Sequence, residues 1–167
     1  MKGVSMVNSN IKIENAKVRF KNFSGKEGKY NPAGRRNFCV ILDEESAQSL
    51  FEEGWNVKYL QPKKEAKKEG DDPIPYLQVA VSYNNMPPKV YLVTSKQKTL
   101  LDEDTIGMLD WGEYANFDLV IRPYNYDVNG KTGVKAYLKT LYATLVEDEF
   151  ADKYEDVPDS AISAVQR

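Results

Sequence analysis

The sequence predicts a mainly β fold with one or two short helices. Short runs rich in Val, Ile, Tyr, Phe and Thr recur along the chain, separated by Gly, Pro and Asn. Asn129-Gly130 lies between two alternating stretches, which is the strongest short-range signal for a β-hairpin. With 167 residues, 41% of them hydrophobic, the chain is long enough to bury one substantial core.

Seven strands are predicted from these runs, taken in chain order. They are expected near 10–22, 36–42, 55–60, 75–83, 88–94, 117–128 and 133–146.

Two short helices are expected between the strands. One runs from Asp43, which can cap its start, to Glu53, with Gly54 ending it. The other is expected from Asp102 to Leu109. The segment 61–73, with its doubled lysines and Gly-Asp-Asp-Pro ending, is predicted to be an exposed loop. No linker separates two folded units, so we expect one domain over 1–146 and an acidic tail over 147–167.

The first strand changes phase partway along. Ile11 and Ile13 share one side, whereas Ala16, Val18 and Phe20 are shifted by one residue, and a bulge near Glu14-Asn15 would explain the shift. The face opposite the second set is a basic row, made of Lys17, Arg19 and Lys21. Such a row fits a groove that follows a phosphate backbone, and lysines on an edge strand that block aggregation would look the same.

The Asn129-Gly130 turn fixes a register for the last two strands. If these two residues are central in a type I′ turn, Val128 faces Lys131, Tyr124 faces Lys135 and Arg122 faces Tyr137. One face is then apolar: Leu119, Ile121, Val134, Ala136 and Leu138. The other is aromatic and basic: Arg122, Tyr124, Tyr126, Lys135, Tyr137 and Lys139. Pro123 cannot donate to a ladder, which indicates an edge or a bulge there.

Tyrosines alternating with cations suit single-stranded nucleic acid. Unpaired bases stack on aromatic rings, and the phosphates between them need positive charge. Duplex DNA fits less well, because its bases are already stacked and no recognition helix is apparent. A tyrosine and lysine face covered by lysine stems or by a helix is the structural alternative.

A Gly-rich cationic loop joins the basic first strand to the apolar second strand. It spans 22–38, and Gly25, Gly28 and Gly34 give it freedom. Its candidate nucleic-acid contacts are Phe23, Lys26, Lys29, Tyr30, Arg35 and Arg36. A surface hairpin without a binding role is the alternative.

Charge is distributed unevenly. Residues 1–40 hold nine Lys or Arg against two Glu, a balance of +7, whereas residues 147–159 hold seven acids against Lys153, a balance of −6. A basic body attracts a polyanion, and an acidic tail either competes for the basic face or serves another partner. Ordinary solvated surface also explains such runs.

A reducing, cytoplasmic setting is expected. Cys39 is the single cysteine and has no disulfide partner in the chain. The first ten residues lack the apolar region of a signal peptide, and no apolar run approaches the ~20 residues of a membrane span.

Enzymatic motifs are weak. The chain has no histidine, which removes the commonest general base and nitrogen ligand for a metal. Gly130-Lys131-Thr132 lacks the earlier glycine of a phosphate-binding loop, because Asn125 stands there. The run beginning at Asp102 departs from a calcium loop at Ile106. Catalysis, cofactors and metals are therefore not expected. Asp102, Glu103 and Asp104 could hold a divalent metal, but acids that start a helix and complement its dipole are much more common. A metal-dependent nuclease or nucleotide-processing enzyme is a third hypothesis, and it rests only on scattered acids.

The chain resembles the OB-fold single-stranded DNA-binding proteins encoded by bacteriophages. The resemblance rests on the basic first strand, RRNFCVIL, the RPYNYDVNGKTGVKAYLKTLYATL hairpin and the acidic end, and it covers most of 10–159. It implies a five-stranded barrel with extra strands, DNA binding in phage replication or recombination, and a tail that contacts replication proteins. The groove residues it implies are Lys17, Arg19, Lys21, Arg35, Arg36, Arg122, Tyr124, Tyr126, Lys135, Tyr137 and Lys139.

The tail departs from the bacterial pattern. It ends Ala164-Val165-Gln166-Arg167 instead of in a hydrophobic residue, and Phe150, Tyr154 and Val157 have helical spacing.

The main alternative function is a phage accessory or inhibitory module whose tyrosine-rich face binds a protein. The sequence leaves open DNA versus RNA preference, and a homo-oligomer is compatible with it.

Overall fold

A computed structural model describes residues 9–61, 72–84 and 86–147, and it is mainly β. Its elements are β1 (Ile11–Ile13), β2 (Lys17–Asn22), β3 (Arg36–Ile41), α1 (Glu44–Glu52), β4 (Val57–Leu60), β5 (Ile74–Val81), β6 (Lys89–Val93), β7 (Lys98–Leu101), a 3₁₀ helix (Ile106–Asp110), β8 (Tyr114–Val128) and β9 (Lys131–Leu145). None of the described helices is long and apolar enough to cross a membrane. The acidic tail from 148 onward and most of the 61–73 segment lie outside the described residues.

The sheet follows the path of a partly open five-stranded barrel. Its hydrogen-bonded order is β1-β8-β9-β5-β3-β2. Because β1 and β2 are consecutive parts of one segment, the path begins and ends on the same stretch of chain. The gap between β1 and β2 is therefore spanned by residues 14–16 of the chain, and among the described residues no ladder joins these two strands. The mainly β class with extra strands is confirmed, and the OB fold stays a prediction with which this strand order agrees.

The three extra strands extend this barrel at its edges. β4 pairs with β5 on the side away from β3. Beyond the short parallel contact of β5 with β9, β6 continues parallel to β9, and β7 pairs with β6. The sequence pattern did not reveal β7.

The β8–β9 hairpin has the predicted register. Asn129 and Gly130 have φ of 53° and 80°, as a type I′ turn requires. Val128 lies opposite Lys131, Tyr124 opposite Lys135 and Arg122 opposite Tyr137. The pairing of β1 with β8 ends at Ile121, so Pro123 lies where β8 is an edge. The expectation of an edge at this proline is confirmed.

The first strand differs from its prediction. The structure has two strands, and the break at 14–16 is where the chain changes partner from β8 to β3. Asn15 has φ of 52°, and its amide donates to the Asp118 carboxylate at 2.8 Å. The sequence located the change in side-chain direction correctly. Its cause is a change of partner strand, from β8 to β3, and not a bulge within one ladder.

A true bulge lies further along β2. Arg19 pairs with Cys39 and Asn22 with Asn37, so Phe20 and Lys21 together stand opposite one residue of β3. Phe20 has φ of 55° and is 62% exposed. The sequence pattern placed Phe20 with Ala16 and Val18 on the apolar side of the strand, opposite the basic row, and for Phe20 this prediction is wrong.

The first helix forms as predicted, whereas the second is shorter. The Asp43 carboxylate accepts the Ser46 amide at 2.7 Å, which caps α1 and lowers the pKa of Asp43. Gly54 follows the helix with φ of 95°. The second helix is a 3₁₀ turn that starts at Ile106, because the Asp102 carboxylate folds back onto the backbone and hydroxyl of Thr105.

The core fills the inside of this barrel. It includes Phe38, Val40, Leu77, Val79 and Leu138, all essentially inaccessible to solvent. Residues that alternate with these point away from the core, and we call that side of the sheet the outer face.

Candidate nucleic-acid interface

One row of the outer face crosses four strands. Tyr137 of β9 lies opposite Arg122 of β8 and, on its other side, opposite Ala80 of β5. Ala80 lies in turn opposite Asn37 of β3. The hairpin that the sequence singled out is therefore continuous with the outer face of the barrel. The small Ala80 side chain leaves the middle of the row low.

A groove of about 430 Å³ runs along this row. It is lined by Arg35, Asn37, Asn56, Lys58, Gln78, Ala80, Tyr124, Tyr126, Lys135, Ala136 and Tyr137. Three of these are cations, and among the described residues that line the groove none is acidic. An open polar groove with cations and tyrosines can hold bases and phosphates together.

Tyr137 is the centre of the aromatic cluster. The Tyr124 ring meets it edge-on, with centroids 5.9 Å apart and planes at 89°. The Arg122 guanidinium carbon lies 5.2 Å from the Tyr137 centroid, and the Lys135 Nζ lies 5.0 Å from it. Cation–π contacts hold both charges beside the ring, where phosphates next to a stacked base would need them.

Tyr126 has a different role from the other two tyrosines. Its hydroxyl donates to the Asn56 side-chain oxygen at 3.2 Å, and its ring crosses Gly133 of β9. A Cβ at Gly133 would lie 2.7 Å from the Tyr126 Cζ. Nearby, the Val134 amide donates to the Gly54 carbonyl at 2.9 Å. Tyr126 therefore helps to fasten the hairpin to the segment after α1.

The predicted basic row of β2 divides at the bulge. Arg19 pairs with Cys39, which pairs with Gln78 of the groove lining, so Arg19 lies on the same outer face. Lys17, paired with Ile41, shares that face. Lys21 is separate from them, since its Nζ lies 5.1 Å from the Tyr114 centroid and 5.8 Å from that of Phe117.

Two predicted contacts in the 22–38 loop are in the wrong place for nucleic acid. Phe23 is fully buried and stacks on Phe38 at 5.1 Å, so no base can reach its ring. Arg36 alternates with the groove residue Asn37 and points to the other side of β3, where it pairs with Glu103 at 3.2 Å and lies over the Tyr83 ring. Both side chains support the fold.

The rest of this loop presents its charges to solvent. Tyr30 is 87% exposed, with the Lys29 Nζ 5.3 Å from its centroid. The Asn31 side-chain amide donates to the backbone carbonyls of Lys26 and Arg35, which gives the loop a defined shape. Arg35 lines the groove, whereas Lys26 and Lys29 lie at the loop surface.

Lys139 occupies an irregular position in β9. Ile121 pairs with Leu138 and Val120 with Thr140, so Lys139 is an extra residue between two ladder pairs. It is exposed, and the groove lining does not include it.

Several groove residues were absent from the sequence prediction. They are Asn37, Asn56, Lys58, Gln78 and Ala80. Alternation along β3 and β5 would have shown that Asn37, Gln78 and Ala80 avoid the core. Cys39, between the Arg19 and Gln78 positions, is buried, and burial raises the pKa of its thiol.

The carboxylates at 102–104 do not form a metal site. Asp102 is hydrogen bonded to Thr105, which lowers its pKa, and Glu103 pairs with Arg36. Within the described ranges, no group of three or more His, Cys, Asp or Glu side chains could hold a metal ion.

Comparisons with known proteins identify a family and similar folds. The model of the family described as "Putative phage ssDNA-binding domain" matches residues 1–167. The single-stranded DNA-binding protein of bacteriophage Enc34 in complex with ssDNA is similar in fold, with a TM-score of 0.53 and 12% identity over 84% of this chain and 89% of that one. A second structure of the Enc34 protein has a TM-score of 0.50 and 12% identity over 90% and 89% of the two chains. No curated protein sequence matches the chain.

Proposed function

Because this chain belongs to the phage single-stranded DNA-binding domain family, we propose that it binds single-stranded DNA during phage replication or recombination, as a binding protein and not an enzyme. The contact surface is the groove between β3, β5 and the β8–β9 hairpin, with Arg19 at its margin. Phosphates would contact the cations, and unpaired bases would stack on Tyr124 and Tyr137.

One observation carries the proposal. Tyr137 lies in the outer row between Arg122 and Ala80, with a second cation, Lys135, 5.0 Å from its ring. A ring with two cations beside it, at a low point of the sheet, matches the alternation of base and phosphate in a single strand. It supplies no pattern of donors and acceptors for one particular base, which supports sequence-tolerant binding.

The direct test is fluorescence anisotropy with a labelled oligo(dT) of ~30 nucleotides, longer than the ~4–16 nucleotides of one OB-fold site. Duplex DNA and single-stranded RNA are titrated in parallel, at low and moderate salt. We expect tight, salt-sensitive binding to the DNA single strand and weak binding to duplex. The RNA titration measures the preference for DNA.

Variants connect this binding to the groove. Replacing Arg122, Tyr124 and Tyr137 together by Ala should weaken binding and leave the fold intact by circular dichroism. Tyr59→Ala is the matched control, since Tyr59 is 43% exposed but does not line the groove. Unchanged affinity in the triple variant would exclude the groove as the contact surface.

A protein partner is the second candidate for the same face. Tyr and Arg are enriched in protein interfaces, and Tyr124 is 51% exposed. Release of counterions makes the affinity for DNA fall steeply as the salt concentration rises. The affinity for a protein partner generally depends less on salt. Absence of DNA binding at low salt would favour this candidate.

The acidic tail is proposed to regulate access and to recruit partners in the host cytoplasm. Its seven acids in 147–159 have the charge to compete with DNA for the groove cations. Truncation after Leu145 should therefore strengthen DNA binding at low salt. An unchanged or weaker affinity would show that the tail does not compete with DNA for the groove. Replication or recombination proteins are the partners to test by pull-down with the isolated tail.

A further inference from the structure

A second aromatic and cationic cluster lies outside the groove. Tyr91 of β6 is directly opposite Tyr142 of β9, and their rings stack with centroids 4.8 Å apart and planes at 15°. The Nζ of Lys98, from β7, lies 4.8 Å from the Tyr91 centroid and 5.7 Å from that of Tyr142. These three residues form what we call the distal cluster.

The distal cluster is on the same outer face as the groove. Leu138 is buried before the Lys139 bulge, and Leu141 and Ala143 are buried after it, so Tyr142 points outward as Tyr137 does. The extra residue shifts the alternation by one position, so Tyr137 and Tyr142, which are five residues apart, point to the same side. From Tyr137 to Tyr142 the strand covers ~16 Å at ~3.3 Å per residue. That distance is a few nucleotides of an extended strand.

A cavity of about 200 Å³ adjoins Tyr142 on this face. Thr140, Val120 and Lys12 contribute to its lining. Two carboxylates, Asp118 and Glu14, also line it. The Asp118 carboxylate accepts the Asn15 backbone amide at 2.8 Å, and Glu14 pairs with Lys12 at 3.3 Å. The cavity is large enough for a planar base, and a ring and a cation already stand at its border.

Exposed lysines lie along β9 between the groove and the distal cluster. Lys139 is exposed at the bulge, and Lys89 is exposed opposite Thr140. Lys12 is also exposed, and its ion pair with Glu14, at 3.3 Å, lies in solvent, where such pairs contribute little. A phosphate chain leaving the groove would therefore meet positive charge along β9.

We propose that bound single-stranded DNA continues from the groove across β9 to the distal cluster, with a base beside Tyr142 and phosphates on Lys98 and Lys12. This inference rests on the proposed function and extends it, because it makes the binding site longer than the groove alone. The ligand at both places is one and the same DNA molecule, because Tyr142 of the distal cluster and Tyr137 of the groove lie on the same face of β9.

The test compares two oligonucleotide lengths. Affinities of oligo(dT) of ~6 and ~16 nucleotides, near the two ends of the site sizes known for one OB fold, are measured for each variant. Tyr142→Ala should weaken the longer oligonucleotide about 5-fold or more, the loss expected for one stacked base, and leave the shorter one unchanged. Tyr142→Phe, which keeps the ring, should bind both like the parent protein. Tyr137→Ala should weaken both lengths.

Lys98→Gln covers the case in which Tyr142→Ala fails to fold. Its side chain is exposed, and it should lower the salt dependence of binding for the long oligonucleotide only. Equal losses for both lengths, or none for either, would overturn the distal site while the groove remains. Absence of binding by the parent protein would overturn the proposed function as well.

Discussion

Gly133→Ala is expected to destabilise the protein through one side chain, Tyr126. A Cβ at this position would lie 2.7 Å from the Tyr126 Cζ and 2.9 Å from the Asn56 side-chain oxygen. Real Cβ atoms do not approach other atoms so closely, so the tyrosine must move. Its hydrogen bond to Asn56, at 3.2 Å, would then be lost.

The size of the effect combines three contributions. Overpacking by one methyl group costs ~1–3 kcal/mol, although a ring at the end of a side chain can relieve part of it. Loss of the hydrogen bond adds ~0.5–1.5 kcal/mol. Replacing Gly where φ is not positive returns ~0.4–1 kcal/mol through the unfolded chain. We therefore expect the free energy of unfolding to fall by ~1–2 kcal/mol, nearer the lower ends of the two costs.

A double-mutant cycle isolates this contact. Urea unfolding is measured for the parent protein, Gly133→Ala, Tyr126→Ala and the double variant. In the Tyr126→Ala background the added methyl group has space, so Gly133→Ala should there be neutral or slightly stabilising. Equal destabilisation in both backgrounds would show that the ring does not cause the effect, and a neutral Gly133→Ala in the parent protein would refute the close contact itself.

Three further predictions concern single side chains. Tyr137→Ala should weaken oligo(dT) binding by ~1–3 kcal/mol, measured by anisotropy, whereas Tyr137→Phe should keep most of the affinity because the ring remains. Lys135→Gln should reduce the slope of log affinity against log salt by ~0.7, the value for one phosphate contact on a single strand; an unchanged slope would place Lys135 off the phosphate path. Burial raises the pKa of Tyr83 to about 12, from an ordinary value of 10.0. The folded state therefore disfavours the phenolate, and the free energy of unfolding should fall as pH rises from about 10 toward 12; urea unfolding of Tyr83→Phe should lack that part of the decline, and identical pH profiles would contradict it.

The sequence predicted the hairpin well because its determinants are local. Asn129 and Gly130 adopt the positive φ angles on which the register depends, and that register sets the faces of both strands. The rest of the groove depends on a parallel contact between Ala80 and Tyr137. These residues are far apart in the chain, and no turn chemistry connects them. Alternation can show which residues of β3 and β5 point outward, but it does not show that they lie beside the hairpin.

Residues near bulges were predicted less well, because periodicity assumes an unbroken ladder. In β2 the pattern placed Phe20 inside and Lys21 outside, and the extra residue reverses this arrangement. In β9 the extra residue at 139 shifts the alternation, and Tyr142 points outward where an unbroken ladder would turn it inward. Sequence alternation alone does not reveal either event, since both depend on how many residues the partner strand supplies.

The strained backbone at Phe20 is explained by the packing of Lys21 and Phe23, the residues just after it in the chain. A bulky residue with φ of 55° costs ~1–3 kcal/mol, and an exposed ring contributes little in return. The bulge, however, brings Lys21 over the Tyr114 and Phe117 rings and lets Phe23 enter the core. It also aligns the Phe23 amide with the Asp110 carboxylate at 2.7 Å. Burial of one Phe side chain is worth ~1.5–3 kcal/mol, which is enough to offset the strain. The buried Phe23 thus anchors the start of the loop that places Arg35 in the groove, and the exposed ring of Phe20 is a consequence of that anchoring.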